Sequence, residues 1–265
     1  MSMNKKLTIS SIKKSKGVKP LVMITAYDAL FAKLFEESAD MILVGDSLNM
    51  SFAGKSDTIS ATLDQMIYHT QAVCNGAKNS FVVCDMPFGT YTTKEKALQN
   101  ATKVFQETLA DCVKIEGGSD KAEIIKYLTA NGIAVCGHIG LLPQSVRSEG
   151  GYKVKGKTEE EQEALLADAK AVEEAGAFCM VIEGTKSDVA KAVAASVSIP
   201  VIGIGAGHEV DGQVLVFSDM LGFFEDFTPK FVKKYLDGAK AVREAVANYA
   251  DEVEKRAFPS EEYTY

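Results

Sequence analysis

Five short, mostly apolar runs in this chain each finish on a residue that can ionise, donate a proton or hold a metal. They are Met41-Ile-Leu-Val-Gly-Asp-Ser47, Phe81-Val-Val-Cys-Asp85, Val113-Lys-Ile-Glu116, Ile133-Ala-Val-Cys-Gly-His138 and Met180-Val-Ile-Glu183. An unbroken apolar run of four or five residues is the pattern of a strand buried on both faces of a parallel sheet. Chance would scatter the polar residues over both ends of such strands. Here they gather at the carboxyl ends, the edge at which parallel α/β folds bind ligands.

Reading in order extends the pattern. Residues 1 to 19 are polar and basic, an N-terminal lid or short helix. Leu21–Ile24 is the first strand, followed by Thr25-Ala-Tyr-Asp28. Asp28 has two readings, a cap on the helix that carries Leu30, Phe31, Leu34 and Phe35, or a member of the site; the cap is favoured. Leu63, Met66, Ile67, Thr70, Val73 and Cys74 keep helical spacing on one face. Thr92 and Glu95 form a capping box before a helix through Leu109. The fourth strand is Cys112–Ile115, and a helix from Asp120 is ended by Asn131-Gly132. The fifth strand runs from Ile133 to about Gly137. From Ile139 to Lys157 there is no periodicity, and a loop of that length is a candidate functional lid. Thr158 and Glu161 cap the next helix, with Glu159–Glu161 complementing its dipole. Strand six is Phe178–Ile182, Ser187 opens a helix, strand seven is Val201–Ile204 and strand eight is Val214–Phe217. The 205–213 connection is too short for a full helix, and Phe231 to Tyr249 is the clearest helical pattern beyond.

Eight apolar runs with helical patterns between most of them predict an α/β chain folded as a (β/α)8 TIM barrel, one domain over 1–265 with a short N-terminal extension and a C-terminal helical tail. The rival is an open doubly wound sheet, lowered by the lack of G-x-G-x-x-G after the first strand. A net charge of −7, with no basic cluster interleaved with aromatics, excludes a general nucleic-acid binder. No apolar run has the length of a membrane span, and the N-terminus has no apolar signal region, so a cytoplasmic location is expected. Cys74, Cys84, Cys112, Cys136 and Cys179 contain no CxxC pair and read as buried thiols in a reducing compartment.

Alternation along a strand puts residues two apart on one face. On that rule Lys114 pairs with Glu116, Asp46 with Val44, Asp85 with Val83, His138 with Cys136 and Glu183 with Val181. If those faces line the barrel mouth, four carboxylates, one ammonium and one imidazole converge. Asp46, Asp85 and Glu116, on consecutive strands, suit a hard cation such as Mg2+; the bland reading is that each caps the following helix. Lys114 is either their counter-charge or a receptor for a substrate carboxylate or oxyanion, and the cost of burying it favours use. His138 is either a satisfied core histidine or a substrate donor. Glu183, further round the barrel, is the candidate general base. The glycines of Gly203-Ile-Gly-Ala-Gly207 are read as serving a tight turn rather than an anion site.

Beyond those single residues, the series Thr25-Ala-Tyr-Asp28, Val44-Gly-Asp-Ser-Leu48, Asp85-Met-Pro-Phe88, Val113-Lys-Ile-Glu-Gly-Gly118, Gly137-His138, Pro143-Gln144, Gly150-Gly-Tyr152, Ile199-Pro-Val-Ile-Gly-Ile-Gly-Ala-Gly207 and Asp211-Gly-Gln213 resembles the ketopantoate hydroxymethyltransferase family, in order and over nearly the whole chain. The resemblance implies a phosphoenolpyruvate/pyruvate-type (β/α)8 barrel that assembles as a homodecamer. It implies transfer of a one-carbon unit from 5,10-methylenetetrahydrofolate to 3-methyl-2-oxobutanoate, with Mg2+, to give 2-dehydropantoate in pantothenate and coenzyme A biosynthesis. Carried over by motif, Asp46 and Asp85 are metal ligands that also meet the ketoacid, and Glu116 reaches the metal directly or through water. Ser47 and Lys114 hold the ketoacid, His138 lies near it, and Glu183 accepts the C3 proton. Two positions depart from the family pattern: Asn49 stands where Gly is expected and Gly184 where a bulkier residue is expected. Both flank the site and bear on substrate fit. The competing classes are a Mg2+-dependent α-ketoacid C–C or C–P lyase on the same barrel and a non-catalytic barrel that retains the metal.

Overall fold

In the computed structural model, which describes residues 6–225 and 228–265, eight parallel strands close on themselves in sequence order, β1 pairing with both β2 and β8. They are β1 Leu21–Thr25, β2 Met41–Val44, β3 Phe81–Asp85, β4 Cys112–Glu116, β5 Val135–Gly140, β6 Cys179–Glu183, β7 Val201–Ile204 and β8 Gly212–Leu215. The helices of this unit are α1 Ile9–Lys14, α2 Ala29–Phe35, α3 Leu48–Ser51, α4 Leu63–Gly76, α5 Lys94–Glu107, α6 Ala122–Ala130, α7 Val146–Glu149, α8 Glu159–Glu174 and α9 Ser187–Ser196. The expected (β/α)8 barrel is the observed fold, and the open sheet is excluded by the β1–β8 pairing.

One residue in two from the strands forms a single buried cluster: Leu21 and Met23, Met41 and Leu43, Phe81 and Val83, Cys112, Cys136, Cys179 and Val181, Ile202 and Ile204, and Val214. All eight strands contribute, so this alternating set is the barrel interior. Ile12 of α1 joins it. Lys6 pairs with Asp111 just before β4, and Lys16 with Asp211 just before β8. The N-terminal segment is therefore a plug at the amino end of the strands, not a lid over their carboxyl ends.

Capping accounts for several helix starts. Asp28 accepts from the Phe31 amide at 2.9 Å, which settles it as a cap. Thr62 and Gln65 form a capping box on α4, and Thr158 caps α8 as expected. The α5 cap is Thr93, one residue after the expected Thr92. Other boundaries move for identifiable reasons. A 3-10 turn, Ser119–Lys121, precedes α6 where the helix was expected to begin at Asp120. The Ile133 amide bonds to the Leu128 carbonyl and so completes the end of α6, which leaves β5 to start at Val135. The last strand starts at Gly212, where a Cβ would lie 2.5 Å from the Leu21 carbonyl oxygen. Only glycine lets β8 approach β1 that closely.

The chain divides into a larger unit that ends at Val216 and a smaller one, Phe217–Tyr265. The smaller unit contains α10 Phe217–Met220 and α11 Gly238–Glu254. Residues 231–237 were expected to be helical and are not. The amides of Tyr235, Gly238 and Ala239 bond instead to the carbonyls of Met220, Leu221 and Gly222, and these ties stand in place of helical bonds until α11 begins. Among the described residues no helix is long and apolar enough to cross a membrane.

Candidate active site

The inward phase that carries apolar side chains through the lower barrel carries charged ones at its carboxyl end. Asp85 follows Phe81 and Val83, Lys114 and Glu116 follow Cys112, His138 follows Cys136, and Glu183 follows Cys179 and Val181. Register then sets neighbours across strands: Asp85 lies beside Lys114, and Glu116 beside His138. Asp46 arrives by another route. Met41 and Leu43 are the inward residues of β2, so strict alternation from Val44 would send Asp46 outward. The strand ends at Val44, the chain turns, and the Asp46 amide donates to Asp85 Oδ2 at 3.0 Å. Asp46 therefore reaches the site through this turn and not through the strand alternation expected from Val44.

Lys114 sits at the centre. Its Nζ is 3.1 Å from Asp85 Oδ1, 3.9 Å from Glu116 Oε1 and 2.8 Å from His138 Nδ1. His138 Nδ1 is 3.6 Å from Glu116 Oε1, and its Nε2 is 3.2 Å from Glu183 Oε2, a contact whose alignment falls short of a hydrogen bond. Ser47, next to Asp46, has its Oγ 2.8 Å from the Tyr27 hydroxyl and makes no cap bond to α3. All of the sequence-predicted residues are thus brought to one end of the barrel. Asp46, Asp85, Lys114, Glu116 and His138 are buried, and Glu183 keeps 18% of its side chain exposed.

The charges in this layer act strongly on one another. Burial, then repulsion from Asp85, raises the Asp46 carboxyl to about 7, against the pull of Lys114 and a hydrogen bond from Gln144. Burial also raises Asp85, with Lys114 opposing, and raises Glu116 well above its ordinary value. Glu183 goes up to about 8, chiefly by burial, with Lys114 opposing and Asp46 and Asp85 reinforcing. For Lys114, burial favours the neutral amine, but Asp85, Glu116 and Asp46 outweigh it and hold the ammonium. His138 is lowered well below its ordinary value by burial and then by Lys114, so the imidazole is neutral. A charged Lys114 must donate to Nδ1, which leaves the ring proton on Nε2, the nitrogen facing Glu183.

One central residue was missing from the sequence-based site. Gln144, in a 3-10 turn Pro143–Ser145 inside the long 139–157 segment, donates from its side-chain amide to Asp46 Oδ2 and to the Met86 carbonyl, both at 2.9 Å. Its backbone amide donates to Glu116 Oε2 at 3.0 Å, and its Oε1 accepts from the Tyr91 hydroxyl at 2.5 Å. The same segment is tied elsewhere over the mouth. Arg147 Nε meets Asp57 Oδ2 at 2.8 Å, and Lys155 bonds through its backbone to Gly184 and Lys186. The two departures from the family pattern fit this frame. Asn49 is buried and donates to the Asp57 carbonyl and Ser60 Oγ, so it shapes the loop that presents Asp57 to Arg147. Gly184 has φ +53°, and a Cβ there would lie 2.9 Å from Leu141 Cβ, so its backbone and its space both suit glycine.

The atoms left over test whether these residues suit a cation. Glu116 Oε1 is buried without a hydrogen bond, and Asp85 Oδ1 is buried with the Lys114 ammonium 3.1 Å away. Three fully buried acids face one ammonium. Among the described residues no three His, Cys, Asp or Glu groups form a ready-made cage. Mg2+ needs none, because one or two carboxylates suffice when water and substrate oxygens complete the octahedron. An all-oxygen donor set with a buried carboxylate oxygen left over on Glu116 fits that ion.

A sequence profile described as ketopantoate hydroxymethyltransferase matches residues 6–261. A protein of Sulfurimonas denitrificans named 3-methyl-2-oxobutanoate hydroxymethyltransferase is 76% identical, with 99% of this chain and 100% of that protein covered. One of the same name from Aliarcobacter butzleri is 67% identical over 98% of this chain and 97% of its own. Among solved structures, phosphonopyruvate hydrolase in complex with oxalate and Mg2+ superposes with a TM-score of 0.62 at 13% identity, covering 96% of this chain and 92% of that one. A 2,3-dimethylmalate lyase of the PEP mutase/isocitrate lyase superfamily gives 0.59 at 17%, covering 97% and 91%. At such identities the structural likeness shows the fold alone.

Proposed function

Because the chain belongs to the ketopantoate hydroxymethyltransferase family, we propose that it transfers a one-carbon unit from 5,10-methylenetetrahydrofolate to 3-methyl-2-oxobutanoate, yielding 2-dehydropantoate for pantothenate and coenzyme A. Asp46, Asp85 and Glu116 would hold Mg2+, and the buried Glu116 Oε1, which has no hydrogen bond, supports this assignment. Mg2+ bound there supplies a Lewis acid that draws charge from the ketoacid oxygens and so acidifies the proton at C3. Lys114 has an ammonium proton to spare for the substrate carboxylate beyond those given to Asp85 and His138. Ser47, held by Tyr27, offers a hydroxyl beside Asp46.

Glu183 takes the C3 proton. Its carboxyl, raised to about 8, is a stronger base than an exposed glutamate once ionised, and its partial exposure leaves it able to meet substrate. The Nε2 of His138 lies 3.2 Å from that carboxylate. The observation that carries the reading is this juxtaposition: an acid set suited to a cation on β2–β4, and a separate, half-open carboxyl on β6 with its pKa moved toward neutrality. Exchange of deuterium at C3 of the ketoacid, followed by NMR without folate, tests the proton transfer. Ketopantoate formed only with methylenetetrahydrofolate tests the transfer of carbon; ketoacid consumed without it would indicate a lyase instead. A cytoplasmic homodecamer belongs to the same proposal, and light scattering that reported a monomer at micromolar concentration would remove the assembly from it.

A further inference from the structure

Each acid proposed to face the cation has one oxygen tied to an N–H. Asp85 Oδ2 accepts from the Asp46 amide, Asp46 Oδ2 from the Gln144 side chain, and Glu116 Oε2 from the Gln144 backbone. Two of the three ties therefore come from one residue, on a segment that otherwise runs over the mouth. Gln144 is 7% exposed, and its amide can stand only one way. Turned over, it would set its carbonyl oxygen against Asp46 Oδ2 and the Met86 carbonyl, and would lose the proton of Tyr91.

We infer that Gln144 is a positioning residue for the cation, fixing which oxygens of Asp46 and Glu116 are left to face it, and that Tyr91 fixes Gln144 in turn. The inference rests on the metal reading above. Its physical basis is the crowding of Asp46 against Asp85. A buried carboxylate beside another is free to turn away, and that removes a ligand oxygen. An N–H aimed at Oδ2 opposes the turn. Partners of this kind behind metal-binding groups typically contribute a factor of about 10 to 100 in metal affinity. Pro143-Gln144 stood among the family motifs without a role: the residue sits in a segment without periodicity, and nothing about a lone glutamine announces a carboxylate neighbour 98 positions away.

Gln144→Met keeps the length and bulk of the side chain and the backbone N–H to Glu116, and removes the tie to Asp46 together with those to the Met86 carbonyl and the Tyr91 hydroxyl. Titration calorimetry with MgCl2 alone, without substrate, should show Kd weakened by about 10-fold or more. Turnover should be partly restored as Mg2+ is raised. Tyr91→Phe leaves Gln144 in place but frees its amide, and should weaken Kd in the same direction by a smaller factor. A lowered Tm with Mg2+ affinity unchanged would make Gln144 a structural strut and overturn the inference. If Gln144→Met does not fold, an unchanged Kd in Tyr91→Phe overturns it equally. A wild-type protein that binds no Mg2+ would defeat the metal reading and this inference with it, and is told apart by the missing heat in the wild type itself.

Discussion

The two halves of the barrel interior are made from the same strands in the same alternating phase, yet they work in opposite directions. Toward the amino ends, Met23, Met41, Phe81, Val83, Cys112, Cys136 and Cys179 fill the interior, and Ile12 closes it. Burial there is favourable for every side chain. Toward the carboxyl ends, Asp85, Lys114, Glu116, His138 and Glu183 occupy the next inward positions, and burial opposes the charged form of each of them. The contrast shows that alternation decides only where a side chain points. Residue type then decides whether the position stabilises the fold or stores an electrostatic cost that a ligand can relieve.

The comparison breaks most sharply if an acid of the upper layer can be neutralised without harm to activity. Asp85→Asn keeps the shape, removes a carboxylate that contacts both Lys114 and the Asp46 amide, and should lower kcat/KM by on the order of 10³-fold, the several kcal/mol expected of a cation's charge stabilisation. The variant should fold. Activity near wild type, or persisting in excess EDTA, would detach the acids from a metal.

In the lower half the expectation reverses. Met41→Ala, at a fully buried position of the interior cluster, should lower stability by about 3 kcal/mol through lost burial and a cavity, with kcat/KM near wild type. Chemical denaturation and steady-state rates together check it. A large fall in kcat with the fold intact would mean that the two halves are coupled in a way their chemistry does not suggest.

Glu183→Gln should next reduce C3 deuterium exchange by on the order of 10²-fold, the usual scale for a positioned base, while ketoacid and Mg2+ affinities stay within a few-fold. Wild-type exchange in this variant would return Glu183 to a structural role.

How much of this was legible beforehand follows the same division. The barrel could be read because each strand is an apolar run punctuated by helix signals, and four of the site strands could be read because an ionisable residue interrupts the run on its inward phase. Asp46 was reached despite a wrong phase, since the turn after Val44 and not alternation brings it inward. Gln144, quoted only as part of the Pro143-Gln144 motif, was given no place in the site because its role depends on tertiary placement of a segment with no repeating pattern. Strand β5 and helix α11 were misjudged at their starts, where amides of Ile133, Tyr235 and Gly238 bond to a preceding turn or helix end rather than extend their own element. Such competition between neighbouring backbone groups leaves no trace in hydrophobic periodicity.

The smallest expected effect, and the one that sharpens the contrast most, is on stability against pH in metal-free protein. Asp46 at about 7 and Glu183 at about 8 have folded pKa values above their unfolded ones. Their stabilising contribution is complete below the unfolded values near 4 and is lost as pH rises through 7 and 8. His138, lowered in the fold, contributes stability that is present above its unfolded value near 6.5 and lost as pH falls below it. Stability should therefore fall as pH rises, with His138 offsetting part of the loss below 6.5. An alkaline limb then runs from about 6.5 to 8 and levels off by pH 9, on the order of 1 kcal/mol for each acid, or about 2–4 °C in Tm for a chain of this size. Mg2+ favours the ionised acids, so its stabilising effect should grow over the same interval. Asp46→Asn should flatten the alkaline limb, whereas Met41→Ala should lower the whole curve without changing its shape. Scanning calorimetry from pH 5.5 to 9 in EDTA distinguishes them, and an alkaline limb that Asp46→Asn leaves untouched would show that the upper layer is not where this pH dependence originates.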